Sequence, residues 1–247
     1  MSELRVSRLQ RSFGGVRAVD DVSFALAAGS VTALIGPNGA GKSTLFNLID
    51  GQLSPDTGTI EFEGKSLVGV PTSARTRAGI GRTFQVAQTF GSMTVSQNAQ
   101  LALAAASGLA LAAGTPLGRH APDDAMRLLG QVGLEDRGDA PAAALAYGDL
   151  KRLELALALA ANPRLMLMDE PTAGMAASER SSLMTLVVAL ANERGMTVLF
   201  TEHSMDVVFG FAQRVLVLSR GRLIADGVPD AVRADPAVQA VYLGSES

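Results

Sequence analysis

The chain of 247 residues contains no cysteine, which excludes disulfides, thiol nucleophiles and thiolate metal sites. It carries no strong charge of either sign. A formal net charge of −3 gives no general drive towards nucleic acid or an anionic membrane surface. The first residues, Met1-Ser2-Glu3-Leu4-Arg5, lack the apolar core of a secretion signal. Long lipophilic runs are missing as well. The one uncharged stretch that invites the question, Gln100 to Gly118, is mostly alanine interrupted by Ser107, Gly108, Gly114 and Pro116. Its longest apolar run falls short of a membrane span, and alanine is far less lipophilic than leucine. The expectation for it is a buried helical region of a cytosolic protein. No internal repeat, heptad pattern or low-complexity tail occurs. The length suits one large α/β domain, with room for a subdomain.

Gly36-Pro37-Asn38-Gly39-Ala40-Gly41-Lys42-Ser43-Thr44 fits G-x-x-x-x-G-K-[ST], a loop that cradles phosphates. Val31-Thr32-Ala33-Leu34-Ile35 before it is a short β-branched apolar run, and so reads as a buried strand. After it, Leu45, Phe46, Leu48 and Ile49 recur with helical spacing. Strand, loop and helix in that order let backbone N–H groups curl around phosphate oxygens, with the helix N-terminus aimed at the same charge. Lys42 then reaches the β- and γ-phosphates, and the Ser43 hydroxyl is a ligand for Mg²⁺. A merely structural Gly-rich turn needs neither the lysine nor the hydroxyl.

Upstream, Leu4 to Gln10 alternates as a strand does, and Val22, Phe24 and Leu26 alternate again. Between them stands Phe13, beside Gly14 and Gly15. Its ring is either a hydrophobic plug or, beside a phosphate loop, a platform on which adenine stacks. Downstream, Thr59 to Phe62 reads as a strand, Pro71 to Ala78 as a short helix, and Ile80 to Gln85 as a return to the sheet. From Val86 to Asp149 the chain turns Ala- and Leu-rich, with helix patterns at Val95–Ala106 and Asp123–Val132. This segment is expected to form a helical subdomain inserted in an α/β core of residues 1–85 and 150–247, the whole chain being one domain.

A helix from Leu150 to Ala161, apolar nearly all round and therefore buried, follows with Asp149 as its N-cap. Asn162-Pro163 ends it. Leu165-Met166-Leu167-Met168 is an apolar strand that terminates in Asp169 and Glu170. A strand interior to a parallel sheet delivers such acids to the edge where the phosphate loop lies. Asp169 is then placed to hold Mg²⁺ through water, and Glu170 to polarise the attacking water. Leu183, Val187 and Leu190 mark the inner face of the next helix. Thr197–Thr201 is a second buried strand, and Glu202-His203 at its end shares the edge. Val215–Leu218 and Leu223–Ala225 form a hairpin about Arg220-Gly221, and Asp235-Pro236 opens a last helix. His120 lies in a polar loop and is assigned nothing.

Taken in order, Phe13, Gly36–Thr44, Gln85, Leu145-Ala146-Tyr147-Gly148-Asp149, Asp169-Glu170 and His203 resemble the ATP-binding subunits of ATP-binding cassette (ABC) transporters, over essentially the whole chain. The resemblance implies a P-loop NTPase core of mostly parallel sheet, an N-terminal antiparallel β region and an inserted α-helical subdomain. It implies ATP and Mg²⁺, with Ser43, Gln85 and Asp169 at the metal and Glu170, His203, Gln85 and Lys42 in catalysis. Leu145–Asp149 resembles the family signature, which binds ATP held by the opposite subunit. Phe13-Gly14-Gly15-Val16, Gly81 to Gln85, Leu145 to Gly148 and Glu202-His203 are similar to the branch that imports branched-chain amino acids. The ending, Asp235-Pro236 through Val241 to Gly244, is similar too.

The implied partners are transmembrane permease subunits, a second ATPase subunit (hetero- or homodimer) and, indirectly, an extracytoplasmic solute-binding protein, with no nucleic acid. The implied place is the cytoplasmic face of the inner membrane, peripherally. An exporter ATPase of the lipopolysaccharide type and a soluble non-transport ABC ATPase are the alternatives. Two departures from the wider family fall on groups that act on the partner's ATP. Ala146 stands where serine is common, and Ala176 where Asp or Asn often reaches across. They point either to a different ATPase subunit as the neighbour, with two unequal sites, or to a neutral family variation in which the Gly148 N–H and the helix terminus suffice.

Overall fold

The computed structural model describes residues 2–83, 89–108 and 121–243. Gln85, His120 and the second half of the Gln100–Gly118 stretch lie outside them. Two sheets organise the described chain. The first is antiparallel and four-stranded, in the order β2-β1-β4-β5, from β1 (Ser2–Phe13), β2 (Val16–Ala27), β4 (Thr57–Phe62) and β5 (Lys65–Ser66). The second has six strands in the order β10-β9-β3-β8-β7-β6. These are β3 (Val31–Ile35), β6 (Ile80–Thr83), β7 (Leu165–Asp169), β8 (Thr197–Thr201), β9 (Arg214–Ser219) and β10 (Arg222–Gly227). All its neighbours pair parallel except the β9–β10 hairpin at the edge.

The central strands read as unbroken apolar runs because both faces are covered. Successive side chains point opposite ways, so each strand feeds two cores. Leu34, Leu165, Leu167, Leu199, Leu216 and Leu218 pack with the antiparallel sheet and with α1 (Lys42–Asp50). Ala33, Ile35, Met166, Met168, Val198 and Phe200 face the opposite core. That second core is closed by α5 (Tyr147–Leu159), α6 (Ala177–Arg194) and α7 (Met205–Phe211). Burying a side chain of Leu or Phe size contributes about 1.5–3 kcal/mol, so the two cores carry the fold.

The remaining helices are α2 (Thr72–Arg77), α3 (Val95–Ala106), α4 (Pro122–Gly130), α8 (Pro229–Ala234) and α9 (Pro236–Leu243). None among the described residues is long and apolar enough to cross a membrane. Helix α3 starts at Val95 because Thr94 and Gln97 form a capping box: Thr94 Oγ1 accepts from the Gln97 N–H, and Gln97 Oε1 accepts from the Thr94 N–H. Asp235 caps α9 as expected, its Oδ1 accepting from the Ala237 N–H at 2.7 Å.

Three expectations need correction. β1 and β2 run well beyond the alternating cores read from sequence, pairing from Ser2↔Ala27 out to Phe13↔Val16. The uncharged stretch after Gln100 is not uniformly buried. Among its described residues only Gln100 is enclosed, and Leu101 to Gly108 are half-buried to exposed, several of them lining an open cleft. Finally, Asp149 is not an N-cap. Ala146 adopts the extended cap conformation and accepts the first helical bond from Leu150 at 2.9 Å, with no side-chain cap. Helix α5 therefore starts at Tyr147, and a boundary between 149 and 150 falls inside its first turn.

Candidate nucleotide site

Register alone brings the loops together. Leu34 lies opposite Thr201 and Thr201 opposite Asp169, across β3, β8 and β7. The loop after β3, the acids after β7 and His203 after β8 therefore leave the sheet at one edge.

The Gly36–Thr44 loop wraps into a tight turn that only glycine permits at two points. Gly36 has φ 155 and Gly41 φ 105. A Cβ at Gly36 would lie 2.1 Å from the Leu218 carbonyl oxygen, and one at Gly41 2.1 Å from that of Ala18. The neighbouring β9–β10 hairpin braces the loop, the Gly221 N–H donating to the Ala40 carbonyl at 2.9 Å. Lys42 is only 7% exposed, and its ammonium donates to the carbonyls of Gly36 (2.7 Å) and Pro37 (3.2 Å). Burial pushes the Lys42 pKa down, opposed by the negative charges of Glu170 and Asp169. Both acids thus act electrostatically on the same lysine. Ser43 is exposed at the loop's end and Thr44 half-buried behind it.

Thr201 ties the acids to β8. Its hydroxyl donates to Asp169 Oδ1 at 2.7 Å, and its Oγ1 accepts from the Glu170 N–H at 3.0 Å. Glu170 sits at φ 49, a left-handed conformation that a non-glycine residue holds only under restraint. His203 Nε2 lies 2.9 Å from Glu170 Oε1. Since a carboxylate only accepts, that ring nitrogen carries the donated proton.

Two groups here carry weight that sequence reading did not assign. Glu202 is 4% exposed; its Oε1 accepts from the Thr172 N–H (2.9 Å) and hydroxyl (2.6 Å), and its Oε2 from the His203 N–H (3.2 Å). One buried carboxylate thereby fixes the loop of Glu170 to the loop of His203. Arg82 pairs with Asp50, donates from Nη1 to Asn47 Oδ1 at 2.8 Å, and stands 3.5 Å from Asp169 Oδ2. Charged side chains beside a candidate site were the available signal. Their roles depend on partners far away in sequence.

Phe13, at the end of β1, is 43% exposed, with the Arg11 guanidinium 4.9 Å from its ring centroid. Leu145 to Asp149 sit elsewhere on the surface, at the N-terminus of α5, with Ala146 and Tyr147 exposed and the other three half-buried. They do not join the phosphate loop within one chain, and Gln85 lies outside the described residues.

The sequence pattern of the ABC transporter family matches residues 19–173, and that of the branched-chain amino acid ATP-binding cassette transporters matches residues 222–247. The chain belongs to the ABC transporter family. It is 38% identical, over 98% of its length and 97% of the relative's, to the high-affinity branched-chain amino acid transport ATP-binding protein LivG of Salmonella typhimurium. BraF of Pseudomonas aeruginosa, named for the same transport, is 36% identical over 98% and 97% of the two chains. The solved ADP conformation of an ATP-binding cassette from an ABC transporter superposes with a TM-score of 0.88 at 33% identity, covering 99% of each chain. This ABC protein is accordingly a nucleotide-binding, ATP-hydrolysing transport subunit built on the P-loop cassette fold.

Proposed function

We propose that this ABC subunit drives import of branched-chain amino acids, or of a similarly small polar solute, from the cytoplasmic face of the membrane. The observation that carries this reading is the match of residues 222–247 to the branched-chain amino acid cassette pattern. The names of its near-full-length relatives agree with it. ATP is held by Gly36–Thr44, with Lys42 turning from its own loop carbonyls to the β- and γ-phosphates, and with Phe13 against adenine. Ser43, Asp169 and Gln85 would hold Mg²⁺. Ser43 and Asp169 offer it oxygen donors, as a hard cation requires, and the ion would neutralise charge developing on the phosphates. Glu170 polarises the water that attacks the γ-phosphate. His203, already bonded to Glu170, holds that carboxylate and meets the same phosphate.

Two subunits enclose two ATP molecules. The uncapped N-terminus of α5, with the Gly148 N–H, addresses the γ-phosphate held by the partner. The helical region between β6 and α5, which holds α3 and α4, is the subdomain that moves on closure. A cleft of about 750 Å³ between α2, β6, α3 and α5 has a floor of Ala102, Ala105, Leu157 and Ala158, with Arg77 and Glu154 also lining it. We assign it to the permease subunits. Purifying the membrane complex through a tag on this chain tests the reading. Permease subunits and a second ATPase subunit should co-purify, and solute-binding protein loaded with leucine, isoleucine or valine should raise ATP turnover. A lipopolysaccharide-bound complex, or a chain without membrane partners, would overturn it.

The adenine platform makes a separate prediction. Arg11 is itself held by Asp56 at 2.8 Å and covers Phe13 from one side, so the ring is oriented before any base arrives. Phe13→Ala is expected to weaken ATP binding by about 1–3 kcal/mol, and Phe13→Tyr to leave it nearly unchanged. Titration calorimetry on the isolated chain reads both. An unchanged affinity for the alanine variant would make Phe13 a surface plug.

A further inference from the structure

The Tyr147 hydroxyl donates to the Ala173 carbonyl at 3.0 Å. Under the proposed function these groups belong to machinery that serves two different ATP molecules. Tyr147 stands in the signature segment, which acts on the partner's ATP. Ala173 closes the turn that carries this chain's own Glu170, its N–H donating to the Glu170 carbonyl at 3.1 Å. Glu170 holds a positive φ at the start of that turn, so its side-chain direction depends on what restrains the turn.

The tether is built on both sides. The Lys151 ammonium lies 5.8 Å from the Tyr147 ring centroid, and Lys151 is anchored by a 3.1 Å ion pair to Glu154. Both charged groups are buried. On the other side Gly174, at φ 78, offers its backbone to the ring: a Cβ there would lie 3.5 Å from Tyr147 Cε1. The ring, 46% exposed, lies against the catalytic turn at Gly174 and near Lys151 of α5, with its hydroxyl directed at the Ala173 carbonyl.

We propose that Tyr147 is a positioning residue for hydrolysis at this chain's own site, its hydroxyl fixing the Glu170–Ala173 turn and so aiming the Glu170 carboxylate. The proposal rests on the reading that Glu170 polarises water and that the signature acts on the partner's ATP. Its consequence is a mechanical link inside one chain. A displacement of the α5 N-terminus, including that caused by engaging the partner's nucleotide, pulls on the turn that aims Glu170.

The test separates the chain's own site from the opposite one in the assembled transporter. In the first arm the other ATPase subunit carries Gln for its own catalytic glutamate, so all turnover comes from Glu170 of a Tyr147→Phe chain. In the second arm Tyr147→Phe and Glu170→Gln share one chain, so all turnover comes from the opposite site, which the altered signature serves. The first arm should lose about tenfold or more in kcat, since small misplacements of a reacting group cost that much, with KM for ATP held within about twofold. The second arm reads what the signature itself loses with the hydroxyl, and its loss should be at least about threefold smaller than the first arm's, because the variant keeps the ring and every backbone N–H. Phe also keeps the Gly174 and Lys151 contacts, so the thermal unfolding midpoint should not move. Equal slowing in both arms, a loss confined to the second, or no change in the first would overturn the proposal. Turnover that survives loss of the catalytic glutamate in both subunits with Tyr147 intact would overturn the assignment of Glu170 and the proposal with it.

Discussion

Glu170→Gln is expected to abolish ATP turnover at this chain's own site, by about 10²–10⁴-fold if its whole contribution is that of a general base, while ATP binding survives. The amide cannot accept a proton, yet it occupies the same volume and keeps an oxygen 2.9 Å from His203 Nε2. Its backbone N–H stays bonded to Thr201 Oγ1 and O, at 3.0 and 3.2 Å, because neither contact involves the side chain. Geometry is thus retained and only the proton chemistry is lost. Affinity should even rise. The Glu170 carboxylate acts on Lys42 as a nearby negative charge, and the same charge repels an incoming γ-phosphate. Removing it lowers that repulsion, so ATP should hold the variant subunits closed. Phosphate release by an assembled transporter whose other ATPase subunit already carries Gln for its own catalytic glutamate measures the first effect, and ATP-dependent dimerisation of the variant chain measures the second. Retention of more than a few per cent of turnover would remove Glu170 from the water-polarising role.

That prediction could be drafted from sequence, because the two acids follow an apolar strand and the phosphate loop is contiguous. Local patterns of this kind carried the order of strands and helices: α3 was expected at Val95–Ala106 and is found there. The orientation of the acids was not legible. It comes from Thr201, which stands opposite Asp169 only because β7 and β8 pair in one register, and from Glu202, which holds Thr172 two residues beyond Glu170. The start of α5 was misread for a related reason. Asp149 is a good N-cap residue, but local preference yields where a neighbour is held elsewhere, and Tyr147 is bonded to Ala173, 26 residues on. An apolar reading of α5 likewise overlooked that Lys151 and Glu154 are both buried and neutralise each other at 3.1 Å. Pattern reading ranks charged residues as surface, and pairing across a helix turn defeats it.

Arg75 is the extreme instance, and substituting it should have the largest effect on stability. In sequence it is one arginine in the run Arg75-Thr76-Arg77 of a short polar helix. In the fold its side chain is 2% exposed and donates hydrogen bonds to four backbone carbonyls. Nε donates to Val70 at 2.8 Å, Nη1 to Leu48 and Ile49 at 2.8 and 2.7 Å, and Nη2 to Leu67 at 2.5 Å. Leu48 and Ile49 lie in the last turn of α1, whose carbonyls have no partner within the helix. One guanidinium thus closes the helix that begins with Lys42 and binds it to the chain before α2. Burial lowers the Arg75 pKa, with the charge of Asp50 opposing. Arg75→Met keeps much of the volume but strips every donor, leaving four carbonyls facing an apolar side chain. Each buried carbonyl left without its donor costs about 1–3 kcal/mol, though not additively, so the expected loss for the four together is about 3–5 kcal/mol. Against a total of about 5–15 kcal/mol for a typical domain, that is a large fraction. Arg75→Lys should fall between, since a point charge with three donors cannot span carbonyls on both sides. Urea unfolding of the isolated chain reads the change as a shift in midpoint at constant slope. A midpoint unmoved in Arg75→Met would mean that water replaces the guanidinium, and that α1 is held by its apolar face alone.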